Sequence, residues 1–194
     1  MKKSKMKMFG REIFGPEKNR FYPNEHIQPS ADIIERKEIR MTSPSSYQWL
    51  VGYGTFITGG TWQRYPSCRV CRVPGLRRVY NPEMAWYPFA IVDKQAEILA
   101  VCFLVDEDQL EYFDRYEGVE LGLYERTKRK VLIKESNGIW NTREAWIYLP
   151  TSGTMQHPHF PWEDSNDRWH RDEVQKLVQL QDSFPEFFPS QARR

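Results

Sequence analysis

Glu117 sits in the stretch DRYEGVELGLYER, residues 114–126. A carboxylate there can end a surface helix or can serve as a base. Its place favours a raised pKa. It precedes Gly118, near the negative end of the preceding helix pattern, where a carboxylate is disfavoured by a few tenths to about 1 kcal/mol. Asp114, Glu111 and Glu120 lie close in sequence and add like charge. A carboxylate nearer neutrality is a better proton shuttle. On these residues alone both readings stay open, because surface helices often end in Glu-Gly.

A second group is YGTF, Tyr53-Gly54-Thr55-Phe56. It follows a short apolar run, WLVGY. A strand that stops at a glycine turn leaves backbone N–H groups unpaired. Such groups can form a concave nest for an anion, for instance a carboxylate. With no Cβ at Gly54, a ligand can approach the main chain closely. A purely structural turn is the competing reading.

Other constellations are weaker. Cys68 and Cys71 form a C-x-x-C, and His157 and His159 could complete a zinc site if the fold brought them near. Their spacing is shorter than a zinc finger uses, and no second C-x-x-C exists. Pro74-Gly75 argues against the helix that a thioredoxin-like motif needs. Cys102 lies in an apolar run and reads as core. Arg69, Arg72, Arg77 and Arg78 interleave with Tyr65 and Tyr80, a pattern that can bind single-stranded nucleic acid or attract an acidic substrate tail. Trp62 or Trp86 could stack on a ligand, although core packing accounts for either. All four histidines fall outside residues 47–150, which counts against a histidine mechanism.

The elements that must position these residues follow from periodicity. WLVGY predicts a strand running into the turn, and residues 58–78 read as a loop broken by Gly59-Gly60, Pro66, Pro74 and Gly75. WYPFAIV (86–92) and ILAVCFLV (98–105) predict two strands. Asp106 with Gln109 three residues on forms a capping box, Leu110 and Phe113 give an apolar stripe, and Gly118 ends the helix. RKVLIKE (129–135) and EAWIYLP (144–150) predict strands joined by a turn at Asn137-Gly138. Residues 165–181 predict one amphipathic helix with Trp169, Val174, Leu177 and Val178 inward. The fold class is α+β, dominated by strands, without the strand–helix alternation of a doubly wound sheet.

Three parts are expected: a basic arm at 1–46, a compact domain at 47–150, and a C-terminal loop and helix at 151–194 that packs on it. The net charge of +2 implies no nucleic-acid partner, but charge is uneven: residues 1–40 carry +4, residues 41–82 hold five arginines and no acid, and residues 93–125 carry −8. The arm suits a solvated tail, a packing strap or a docking segment for an acidic protein partner. No apolar run approaches the roughly 18 residues of a membrane helix, and the basic N-terminus lacks the apolar core of a secretory signal. Three cysteines give no disulfide framework, so a cytoplasmic location is expected.

Taken together, VGYGTF after a short strand, a helix ending in DRYEGV, Tyr124 seven residues past Glu117, and AWIYLP resemble the γ-glutamylcyclotransferase-like family, which includes γ-glutamylamine cyclotransferase and the AIG2-like proteins. The resemblance spans about residues 47–150. Phe56 departs mildly from the family turn, and the insert 64–78 replaces a run often rich in Arg, Gly and Asn. The resemblance implies a small mixed β-barrel flanked by helices. It implies an enzyme that closes a γ-glutamyl amide into 5-oxoproline and releases an amine. Glu117 would be the acid/base. Tyr53, Gly54, Thr55 and Phe56 would hold the substrate through backbone N–H groups, and Tyr124 and Tyr148 would line the pocket. No metal or cofactor is required. The alternative is a non-catalytic binding module on the same fold, making its contacts through the basic arm.

Overall fold

The computed structural model describes residues 47–164 and 166–189. The arm at 1–46, including the short element expected at 31–40, lies outside the described residues. Five strands carry the fold: β1 (Gln48–Gly52), β2 (Arg69–Val79), β3 (Phe89–Val105), β4 (Tyr124–Lys134) and β5 (Trp140–Pro150). A short helix α1 (Thr55–Thr58) follows β1, and α2 (Glu107–Glu117) joins β3 to β4. After β5 come α3 (Ser152–Met155), α4 (Arg168–Asp172) and α5 (Val178–Ser183).

The strands close into a mixed barrel in the order β1-β3-β2-β4-β5. Neighbours are antiparallel except at the seam, where β1 runs parallel to β5 through Trp49–Ala145 and Leu50–Trp146. The side-chain period of two puts successive residues on opposite faces, and here both faces are covered. Val51, Cys71, Ala100, Cys102, Val131 and Ile147 belong to one buried cluster drawn from the strands and Tyr53 just past β1, the barrel interior. Many are small, as a narrow barrel requires. Their neighbours Leu50, Val70, Val101, Phe103 and Tyr148 join an outer cluster with Leu110 and Phe113 of α2 and with Trp169, Val174, Leu180 and Phe187 of the C-terminal segment. Helices thus pack on the outside of a filled barrel.

Helix α2 forms where its pattern predicts. Asp106 accepts from the Gln109 N–H at 3.0 Å, and the Gln109 side chain accepts in return from the Asp106 N–H at 2.9 Å. Leu110 and Phe113 are buried, and Gly118 ends the helix at φ 70°. The β4–β5 hairpin also forms as read, with longer strands, and Gly138 takes φ 83° in its turn.

Three expectations are corrected. Residues 69–79 are not loop but β2, in register with β3. Pro74 and Gly75 do not break the strand because they sit in a bulge: register shifts between Pro74 and Leu76, and Gly75 adopts φ 77°. The two strands expected at 86–92 and 98–105 are one continuous β3 of 17 residues, whose polar middle lies opposite that bulge. The C-terminal helix is broken. Leu177 leaves helical backbone at φ −88°, ψ 80°, which turns Val178 out to 73% exposure and gives the buried position to Leu180. Among the described residues no helix is long and apolar enough to cross a membrane.

Candidate active site

Glu117 is the last residue of α2, and its side chain is packed yet still reachable from solvent. Burial pushes its carboxyl up from 4.5 to about 8. The direction agrees with the sequence reading, but the cause differs: Asp114, Glu111 and Glu120 contribute nothing resolvable, and desolvation does it alone. Among the described residues Glu117 has no ion-pair partner. Its surroundings are phenolic. Tyr53, Tyr87, Tyr124 and Tyr148 all have raised pKa values; burial is the largest cause in each, and the Glu117 charge adds to it. The Tyr87 hydroxyl is pushed up to about 12. One carboxyl therefore stands within electrostatic reach of tyrosines from four different segments.

The turn after β1 is the start of α1. Gly54 is its N-cap, and the Gly54 carbonyl accepts from the Ile57 N–H at 2.8 Å. The first N–H groups of a helix have no acceptor within it, so those of Thr55 and Phe56 are free of intrahelical bonds. Gly54 is held close: a Cβ there would lie 3.2 Å from the Pro88 ring. The Phe56 side chain does not face the site. It is buried against Phe103, Phe113 and Tyr116.

Hydrogen bonds tie this turn to the helix that carries Glu117. The Tyr53 hydroxyl donates to the Tyr148 carbonyl at 2.9 Å. The Tyr148 hydroxyl donates to Asp114 Oδ1 at 2.8 Å, one helical turn before Glu117. Asp114 Oδ2 lies 3.3 Å from Arg126 Nη1, an ion pair short of hydrogen-bond geometry, and the Arg126 guanidinium stacks 4.9 Å over Trp146. Tyr148 is 2% exposed. Its hydroxyl is committed to holding α2, whereas Tyr124 keeps accessible surface and stacks on Phe89 at 6.0 Å.

Arg78 is the site residue that sequence reasoning missed. Its Nε donates to the Tyr53 carbonyl at 3.0 Å, its Nη2 to the Leu99 carbonyl at 2.7 Å, and its Nη1 pairs with Asp167. It is 1% exposed and lies over the Trp169 ring at 5.0 Å. The arginines read as a basic stripe are engaged within the fold: Arg77 pairs with Asp93 at 3.2 Å, Arg72 stacks on Trp140 at 4.5 Å, and Arg69 donates to the Cys68 carbonyl at 2.8 Å. The one available signal was strand alternation in Leu76-Arg77-Arg78-Val79, and it was masked by reading the stretch as loop. Tyr87 was missed too, hidden in a run read simply as strand.

The C-x-x-C does not form a site. Cys68 joins the outer cluster and Cys71 the barrel interior, so the two thiols are on different sides of the wall. Burial pushes the Cys68 thiol up to about 12. The rings of His157 and His159 lie 5.4 Å from each other, and among the described residues no three His, Cys, Asp or Glu side chains are grouped to hold a metal ion. Two surface hollows of about 290 and 210 Å³ lie elsewhere, beside Lys134–Glu186 and beside Trp146. Neither contains a polar constellation comparable to that at Glu117.

Comparison with known proteins shows the family and a similar fold. The model of the γ-glutamyl cyclotransferase, AIG2-like family matches residues 42–171, and the chain belongs to that family. An Arabidopsis thaliana protein solved in solution has a similar fold, at 17% identity and TM-score 0.52, over 76% of this chain and 87% of that one. A mouse AIG2-like protein is 19% identical over 61% of this chain and 84% of its own, with TM-score 0.45. A yeast γ-glutamyl cyclotransferase specific to glutathione is 11% identical over 72% and 89%, with TM-score 0.48. Comparison with curated protein sequences gives no match.

Proposed function

We propose that this chain is a γ-glutamyl amide cyclotransferase with Glu117 as its acid/base. The observation that supports this reading is the Glu117 carboxyl, raised by burial to about 8 among four tyrosines in a residue that is only partly buried as a whole. The substrate's α-ammonium loses a proton to Glu117. The freed nitrogen attacks the γ-carbonyl carbon of the same molecule, forming the ring C–N bond and a tetrahedral oxyanion. The oxyanion collapses, the amide C–N bond breaks, and Glu117 returns its proton to the departing nitrogen; the ring nitrogen gives up its second proton in turn, which leaves with the amine as its ammonium. The products are 5-oxoproline and an amine, and Glu117 ends as it began.

Magnitudes favour this assignment. A peptide α-amino group titrates near 8 and the substrate's, beside its own carboxylate, somewhat higher, so proton transfer to a carboxylate of about 8 is only mildly uphill. Transfer to an ordinary carboxylate near 4.3 would cost about 5 kcal/mol. Ring closure needs the substrate folded on itself, and the N–H groups of residues 53–56 would hold its α-carboxylate in that pose. Tyr124 would line the pocket with its ring face, and Tyr148 would fix α2 through Asp114.

The test is release of 5-oxoproline from a panel of γ-glutamyl amides by wild type and by Glu117→Gln, which keeps shape and loses basicity. A fall of about 10² or more supports the assignment. Equal turnover by the two proteins removes Glu117 from the mechanism. No turnover by wild type on any amide points instead to a binding module on the same fold.

A further inference from the structure

The identity of the amine half of the substrate can be argued from what surrounds Glu117. This inference rests on the cyclotransferase reading and narrows it. Between β2 and β3, the segment 81–88 lies across the turn after β1, with the Pro88 ring against Gly54. Its two aromatic residues form the near wall of the site. Tyr87 is within reach of the Glu117 charge. Trp86 stands edge-on to Tyr87 at 5.3 Å and is 54% exposed. The aromatic surface continues inward: Tyr87 meets Phe89 at 5.3 Å, and Phe89 stacks on Tyr124 at 6.0 Å with ring planes 6° apart. Trp86, Tyr87 and Tyr124 thus keep accessible aromatic surface, backed from within by Phe89, which is 1% exposed.

Charge points the same way. The two guanidiniums that join the site's network are already engaged, Arg78 with Asp167 and Arg126 with Asp114. Arg78 and Arg126 act on Tyr53 and Tyr148, and among the described residues Glu117 has no ion-pair partner. A carboxylate on the amine half would enter beside the Glu117 carboxyl, where both nearby guanidiniums are already paired. Like charges at that range, in a poorly solvated site, repel. A flat apolar group would cover the exposed Trp86 ring and stack on the band.

We propose that this aromatic band binds the amine half of the substrate, and that the enzyme selects γ-glutamyl amides of uncharged aromatic amines over those whose amine half carries a carboxylate. Trp86 is then the specificity-determining residue at the mouth, and Tyr87 its inner neighbour.

The experiment compares kcat/KM for three amides by release of 5-oxoproline: γ-glutamyl-phenethylamide, γ-glutamyl-phenylalanine, which adds only a carboxylate, and γ-glutamyl-methylamide, which lacks the ring. The phenethylamide is expected to exceed each of the others by about tenfold or more, the range that an apolar subsite provides. Trp86→Ala should bring the phenethylamide-to-methylamide ratio towards one, and Trp86→Phe should restore most of it. Because the readout is a ratio within one protein, a partly folded variant does not imitate it. Equal turnover of all three amides, or a preference for γ-glutamyl-phenylalanine, overturns this inference and leaves the cyclotransferase reading in place. No 5-oxoproline from any of the three overturns this inference, and none from the wider γ-glutamyl amide panel overturns the cyclotransferase reading as well.

Discussion

The hydroxyl of Tyr53 donates to the main-chain carbonyl of Tyr148, 95 residues away, at 2.9 Å. The two residues lie at a thinly sewn seam, since β1 and β5 pair through only two residue pairs, as few as β2 and β4. The bond therefore extends the seam past the last pair, as far as the turn after β1. The Tyr148 side chain continues the link to Asp114 on α2. Barrel closure, the turn with the free N–H groups and the helix bearing Glu117 are joined by two consecutive hydrogen bonds. The turn at 53–56 and the helix end at Glu117 are thus positioned by the same contacts that close the fold.

Tyr148→Phe tests this coupling. The variant keeps the ring and loses the bond to Asp114, while Asp114 keeps its ion pair with Arg126. Stability should fall by about 1 kcal/mol, the usual worth of one such bond. The kcat should fall by roughly tenfold, because small misplacements of a reacting group cost more in rate than in stability. Urea unfolding beside steady-state 5-oxoproline release measures both. A loss of stability with full kcat would mean that α2 does not depend on this bond.

Glu117 should make the protein less stable as pH rises. Its folded pKa, about 8, lies above its unfolded value near 4.5. Between those values the folded state binds more protons than the unfolded state, so unfolding free energy decreases with pH and levels off above 8. Below pH 4.5 both states are protonated and the term vanishes. The full span is about 5 kcal/mol at ~1.4 kcal/mol per unit. Glu117→Gln removes it, so the variant should match wild type near pH 4.5 and exceed it by a few kcal/mol at pH 8.5. Denaturant midpoints across that range decide it, and a constant difference at all pH values would contradict the burial of this carboxyl.

The same group should shape the rate. Catalysis needs one proton shared between Glu117 and the substrate amine. With Glu117 near 8 and the substrate ammonium above it, kcat/KM should follow a bell whose acid limb has unit slope and breaks at about 8. The alkaline limb belongs to the substrate's own ammonium. In Glu117→Gln the bell should disappear, and the residual rate should rise with pH as that ammonium deprotonates. An acid limb breaking near 4.5 would show that Glu117 is solvated like an ordinary glutamate.

Much of this was legible in local pattern. The capping box at Asp106, the stop at Gly118 and the turn at Gly138 are chemistry between near neighbours in sequence, and each forms where it was read. Glu117 and the 53–56 turn stood out because their residue types narrow the options. The misreadings were all decided by distant partners. Pro74 and Gly75 look like breakers until β3 supplies a bulge opposite them. Val178 and Leu180 exchange places because the barrel wall selects which is buried. Arg78 looks like a surface cation until the Tyr53 carbonyl, the Leu99 carbonyl and Asp167 converge on it from three directions. No window of the sequence contains those three acceptors together.

Arg78 gives the last prediction. The guanidinium serves two carbonyls and a carboxylate at once while almost wholly buried, which only a planar fork with several N–H groups can do. Lysine offers a single nitrogen and cannot reach all three. Arg78→Lys therefore strands at least one buried carbonyl and loosens the Asp167 pair, for a cost of about 2–4 kcal/mol. The freed carbonyl of Tyr53 sits at the root of the turn that would hold the substrate carboxylate. KM should rise along with the loss of stability, and more than kcat falls, because the cradle is disturbed while Glu117 stays held through Tyr148 and Asp114. Urea unfolding and the KM and kcat for 5-oxoproline release, measured where the variant is fully folded, separate the two effects. Stability within about 0.5 kcal/mol of wild type would show that the three-way clamp does not hold the turn.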